Sequence, residues 1–129
     1  MTYIRSTAVE YFKQIEKKED FWIAVGNFLD DFRSTNSEEQ KYLIKEPIST
    51  KDIKKEQEQF AVFFAGMIEE LCNELNLEMP EWINNEIFFL EKPWFLHEYW
   101  KLLEWQLNTT PLAFKRRNIF GGDNLLSRI

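Results

Sequence analysis

The 129-residue chain is predicted to fold as an all-α, single-domain helical bundle of five to seven helices around a long central helix at about residues 50–76. Three observations lead there. Valine occurs only at positions 9, 25 and 62, which deprives a sheet of its preferred residue. Four Gly and four Pro are about half of ordinary usage, so few breaks interrupt regular structure. Apolar residues recur at helical spacing through most of the chain. With 44% apolar and 16% aromatic residues the chain can build a core, and 1–129 fits one domain of roughly 100–200 residues.

The first helix opens on a capping box, Thr7 with Glu10, followed by Ala8, Tyr11, Phe12 and Ile15 at core spacing. The charged run 16–20 reads as a turn or solvated face. A second apolar stripe follows from Phe21 through Val25, Phe28, Leu29 and Phe32 to Arg33. Ser37 is expected to cap a short helix over 38–44 that Pro47 ends. Ser49 or Thr50 then opens the central helix. There Ile53, Phe60, Phe63, Phe64, Met67, Ile68, Leu71, Cys72 and Leu75 are expected to share one face. Glu69, Glu70 and Glu74 are assigned mainly to the polar face.

Beyond Asn76 the pattern shortens. Pro80 begins a short turn, and Ile87–Leu90 reads as a short strand or buried loop. Leu96 or His97 to Leu107 is expected to be helical, with Leu96, Tyr99, Trp100, Leu103 and Leu107 inward. Thr110-Pro111 reads as the N-cap and first residue of a helix ending near Asn118. Gly121-Gly122 breaks the chain before Asp123 caps a last turn with Leu125, Leu126 and Ile129.

Composition excludes several function classes. One Cys rules out an intramolecular disulfide framework and a Cys-cluster zinc site, and one His rules out a multi-histidine centre. No metal and no cofactor are therefore expected. The N-terminus lacks a secretory h-region, since Glu10 and Lys13 come too early, and no stretch reaches 18 apolar residues. A cytoplasmic protein without a membrane segment is the expectation. His97 lacks a nucleophile and an orienting carboxylate, because its neighbour Glu98 faces elsewhere on a helix. Cys72 lies near Glu69 and Glu70 late in a long helix, where both the charges and the helix dipole disfavour a thiolate.

Charge is unevenly spread. The net charge is −6, and residues 1–79 carry all of that excess, ten basic against sixteen acidic. Residues 111–129 carry Lys115, Arg116, Arg117 and Arg128 against Asp123 alone. This basic segment between Phe114 and Phe120 could meet phosphate or an acidic surface, with aromatics available for stacking. Alternatively, Arg117 shares a helix face with Ala113 and Phe114 and packs inward against a carboxylate. Four of five Trp lie between 82 and 105, so Trp94 and Phe95 form either a partner site or a Trp-rich core under a loop. The candidate partner-binding residues are Trp94, Phe95, Lys115, Arg116 and Arg117.

The C-terminal half resembles a known group of sequences. Met79-Pro80-Glu81-Trp82, Pro93-Trp94-Phe95, Thr110-Pro111-Leu112-Ala113-Phe114-Lys115-Arg116-Arg117-Asn118-Ile119-Phe120 and Asn124-Leu125-Leu126-Ser127-Arg128 carry the likeness. Phe28-Leu29-Asp30-Asp31-Phe32 and Glu46-Pro47 extend it into the first half. The series resembles an uncharacterised family of small bacterial helical proteins, some carrying the tail after a DNA-binding segment or beside toxin–antitoxin-like genes. The resemblance brings no catalytic residues. This chain also has no evident helix-turn-helix, so direct DNA reading does not transfer with it. Together these features imply a non-enzymatic interaction or regulatory protein, antitoxin-like or partner-neutralising, with a basic protein partner or self-association. A nucleic-acid-associated regulator using the basic segment is the alternative, and an enzyme centred on His97 and Glu98 the third reading.

Overall fold

A computed structural model describes residues 4–127, which form two compact units divided between Asp52 and Ile53. Among the described residues there are six α-helices and one pair of two-residue strands, so the all-α reading holds. No described helix is long and apolar enough to cross a membrane.

The first unit contains α1 (Ala8–Lys13), α2 (Lys18–Arg33) and α3 (Ser37–Lys45). The Thr7–Glu10 capping box forms as read, with the Glu10 N–H donating to Thr7 Oγ1 at 3.2 Å and the Thr7 N–H to Glu10 Oε1 at 2.9 Å. Phe21, Phe28, Leu29 and Phe32 of α2 fill the core with Phe12, Leu43 and Ile44. The cap of α3 is Asn36 rather than Ser37: its side chain accepts from the Glu39 N–H at 3.0 Å, and Ser37 is already helical. Buried Gln40 donates to Phe32 O (2.8 Å) and Thr35 O (3.2 Å), satisfying carbonyls at and just beyond the end of α2. Tyr11 donates its hydroxyl to the buried Asp31 carboxylate.

The second unit is organised by α4 (Lys55–Leu75). It starts later than the expected 49–50. Residues 51–52 form a turn with Asp52 at φ 63°, and the Lys54 N–H donates to Gln57 Oε1 at 3.0 Å as the helix begins. Ile53 therefore precedes the helix. From Phe60 to Glu69 every residue of α4 is buried, as expected of a helix packed on all sides. Left-handed Asn76 ends it, and the Leu77 N–H returns to Cys72 O at 2.9 Å.

Short 3₁₀ turns at Glu81–Asn84 and Glu86–Phe88 follow. The second replaces the short strand or buried loop expected at 87–90. The true strands are β1 (Trp94–Phe95) and β2 (Ile119–Phe120), a parallel pair in the register Trp94↔Ile119 and Phe95↔Phe120. Between them, a 3₁₀ turn at Trp100–Leu102 leads into α5 (Leu103–Thr109), followed by α6 (Leu112–Lys115).

The expected helix over 96–107 thus loses its first turn, because other bonds claim that backbone. The Leu96 N–H donates to Phe120 O at 2.9 Å, while buried Gln106 accepts from the His97 N–H (3.0 Å) and donates to His97 O (2.9 Å). This clamp turns α5 so that Gln106, rather than the leucines, faces inward. Tyr99, Trp100, Leu103 and Leu107 are exposed, contrary to the expected core spacing, and Leu96 is half-buried. Thr110 is also reassigned. Its hydroxyl donates to Gln106 O at 2.5 Å and accepts from the Gly121 and Gly122 N–H groups at 3.0 and 2.9 Å, so Pro111 stands at the N-cap of α6. Asp123–Leu126 form the expected final turn, whereas Ile129 lies outside the described residues.

Candidate functional site

α6 packs against α4 at Gly66, where a Cβ would come within 2.9 Å of the Phe114 ring. One turn further along α4, this close approach delivers Arg116 and Arg117 to Glu69. Arg117 is fully buried and donates through Nη2 to Glu69 Oε1 at 2.7 Å. Its Nη1 donates to Ile83 O (2.7 Å) and Phe88 O (3.0 Å), while its Nε has no hydrogen-bond partner among the described residues. Burial lowers the Arg117 pKa, an effect that the bond to Glu69 opposes and the adjacent Arg116 charge reinforces.

Arg116 reaches the same carboxylate from the solvent side. Its Nε lies 2.9 and 3.1 Å from the two Glu69 oxygens, and its Nη2 2.6 Å from Oε1 and 2.8 Å from Asn84 Oδ1. The Phe89 ring lies against both guanidinium groups, with centroid distances of 5.2 Å to Arg116 and 4.7 Å to Arg117. Two cations thus share one carboxylate and one aromatic ring. Such an assembly fixes α6 and the 81–90 segment to α4; Arg117 offers nothing to an external partner.

The other sequence-selected residues are engaged within the unit as well. Trp94 is half-buried with its ring 6.2 Å from Phe60 and 6.5 Å from Phe63, and Phe95 stacks on Phe120 at 4.9 Å. Trp94 and Asn118 are joined by a 2.8 Å bond from the Trp94 N–H to Asn118 O, and Asn118 Nδ2 donates to Leu90 O at 2.7 Å. Lys115 is half-buried and its Nζ approaches Asn108 O at 3.4 Å. The Pro-Trp-Phe and Arg-Asn-Ile-Phe stretches are therefore opposite sides of one strand pair.

Glu69, Asn84, Phe89 and Gln106 escaped the sequence reading. Glu69 had a signal: it follows Gly66 by three residues and Ala65 by four, so it continues the small-residue face where α6 approaches. Asn84, Phe89 and Gln106 had none, since each acts through a long-range contact from an irregular or short element.

Beyond the cluster, Glu70 projects from α4 near Glu74. Its pKa is raised, first by partial burial and then by the charges of Glu74 and Glu69. Cys72 is buried and its thiol is pushed up to about 11 by burial and by Glu69, which leaves it a thiol at neutral pH. His97 is exposed beside Trp105, with ring centroids 5.9 Å apart, and its backbone rather than its imidazole is held by Gln106. Among the described residues no group of three or more His, Cys, Asp or Glu is placed to hold a metal ion. Compared with known proteins, the chain matches no family model, no curated protein and no solved structure.

Proposed function

We propose that this chain is a non-enzymatic interaction protein of the cytoplasm, an antitoxin-like component that neutralises a basic protein such as a nuclease. The observation carrying the reading is the fate of the positive charge. Arg117 is withdrawn into the core and Arg116 is bound to Glu69, so the basic segment contributes less to the surface than its sequence suggests. Glu70 meanwhile feels the charges of Glu74 and Glu69 beside it on α4, so acidic groups are gathered along this part of the helix. With a net charge of −6, that part complements a basic partner. The tail's resemblance to proteins found beside toxin–antitoxin-like genes supports the same reading. The nucleic-acid alternative depends on three cations, two of which are tied to Glu69.

The test is salt-dependent co-purification of the tagged full chain from its source cells, followed by direct binding to the purified partner. A basic protein that binds at low salt and is lost with Glu70→Lys/Glu74→Lys supports the proposal. Recovery of no protein partner, or binding indifferent to that charge reversal, overturns it.

A further inference from the structure

The clamp between Gln106 and His97 leaves a row of apolar side chains facing outward. Trp100 is 75% exposed and Tyr99 54%, with Leu102, Leu103 and Leu107 each about two-fifths exposed. Leu103 and Leu107 are one turn apart on α5, Trp100 lies three residues earlier, and the Tyr99 and Trp100 rings meet at 6.3 Å. A contiguous apolar strip of this kind on a highly charged chain marks an interaction surface.

The geometry points to a second copy of this chain as the occupant, joined through Tyr99, Trp100, Leu102, Leu103 and Leu107 about a two-fold axis. The size of the strip supports this. At 150–250 Å² for a whole aromatic side chain, the five residues offer about 500 Å² per copy. Complete burial of the strip in both copies would remove about 1,000 Å², the lower threshold for a specific interface. The charge pattern supports it too. Both signs are interspersed with the strip in sequence, Lys101 lying beside the Trp100 ring at 5.6 Å and Glu98 and Glu104 flanking it in the chain, all exposed. A patch with both signs around an apolar centre can complement itself, as a two-fold interface requires. A basic partner would instead meet Lys101. The net charge of −6 acts between copies only weakly at physiological salt, where screening sets in at about 8 Å. This surface is separate from the acidic side of α4 and does not depend on the function proposed above.

Sedimentation velocity of the full chain, extended to about 100 µM to reach the weak end of specific association, reads the outcome. The mass should rise with concentration from 15.7 kDa towards twice that value. Leu103→Glu/Leu107→Glu should weaken association at least about tenfold with the far-UV circular dichroism unchanged. Should that pair perturb folding, Trp100→Ser provides the same test. Lys101→Glu should weaken the dimer about threefold, and Lys101→Glu/Glu104→Lys should recover most of the loss. Glu70→Lys/Glu74→Lys should leave the dimer intact, which separates this inference from the acidic-face reading. A chain that stays monomeric throughout, a dimer indifferent to the leucine and tryptophan changes, or a charge swap no better than Lys101→Glu alone overturns the inference.

Discussion

Removal of the Glu69 carboxylate is the most informative single perturbation of the second unit. In Glu69→Ala, buried Arg117 keeps its bonds to Ile83 O and Phe88 O but loses its only anionic partner among the described residues, and Nη2 joins Nε as an unpaired donor. Breaking one side of a buried ion pair costs about 3–5 kcal/mol, because the remaining charge stays desolvated. The Arg116 side chain is 36% exposed and can turn to water, so its share is at most about 1 kcal/mol. In a unit of this size each kcal/mol moves the midpoint by about 4–8 °C, so Glu69→Ala should melt about 12–40 °C lower. Urea unfolding followed by tryptophan fluorescence, with linear extrapolation, gives the free energy directly. The paired replacement Glu69→Leu/Arg117→Met removes both charges while retaining apolar volume. It should cost at least about 2 kcal/mol less than the sum of Glu69→Leu and Arg117→Met measured singly. A Glu69→Ala loss below about 1 kcal/mol, or strict additivity in the cycle, would refute the assignment of this cluster as the main polar tie of the unit.

Two further outcomes follow from other contacts. Gly122 has φ 90°, and a Cβ there would lie 2.1 Å from the Trp105 ring, so Gly122→Ala combines backbone strain with overpacking. It should destabilise by about 2–4 kcal/mol in the same urea assay, with circular dichroism reporting whether α5 survives. The Cys72 thiol, raised from 9.0 to about 11, is protonated in the folded state over a range where the unfolded thiol ionises. Its contribution to stability is complete below about pH 9 and is lost as pH rises towards 11, so the unfolding free energy of Cys72→Ala should fall less steeply across that window than that of the parent chain.

Local signals explain which parts of the fold can be read without coordinates. The Thr7–Glu10 box, the α2 stripe and the apolar run from Phe60 to Cys72 all depend on residues within a few positions of one another, and each forms where expected. The onset of α4 was misplaced because Ser49 and Thr50 are good caps, whereas the turn at Asp52 uses a left-handed residue that composition alone does not mark. The 96–107 segment misled for a different reason. Its leucines have helical spacing, but the direction that faces inward is set by Gln106 bonding across nine residues to His97 and by the strand pair beside it. Arg117 illustrates both cases. Its place beside Phe114 and Ala113 suggested an inward turn, yet nothing nearby in sequence identified Glu69 as the carboxylate it meets.

The 47 residues separating Glu69 from Arg116 also set an order of events during synthesis. As the chain grows from its N-terminus, α4 can emerge with a carboxylate on its apolar flank long before either arginine exists. Until then Glu69 has neither arginine to pair with, and burying its charge alone is costly. Only when 116 and 117 arrive can the α4–α6 contact and the Trp94–Ile119 strand pair close together. Those contacts are far apart in sequence, which favours slow, late consolidation of this unit. Burial of Glu69 against Arg116 and Arg117 therefore requires a chain grown past residue 117.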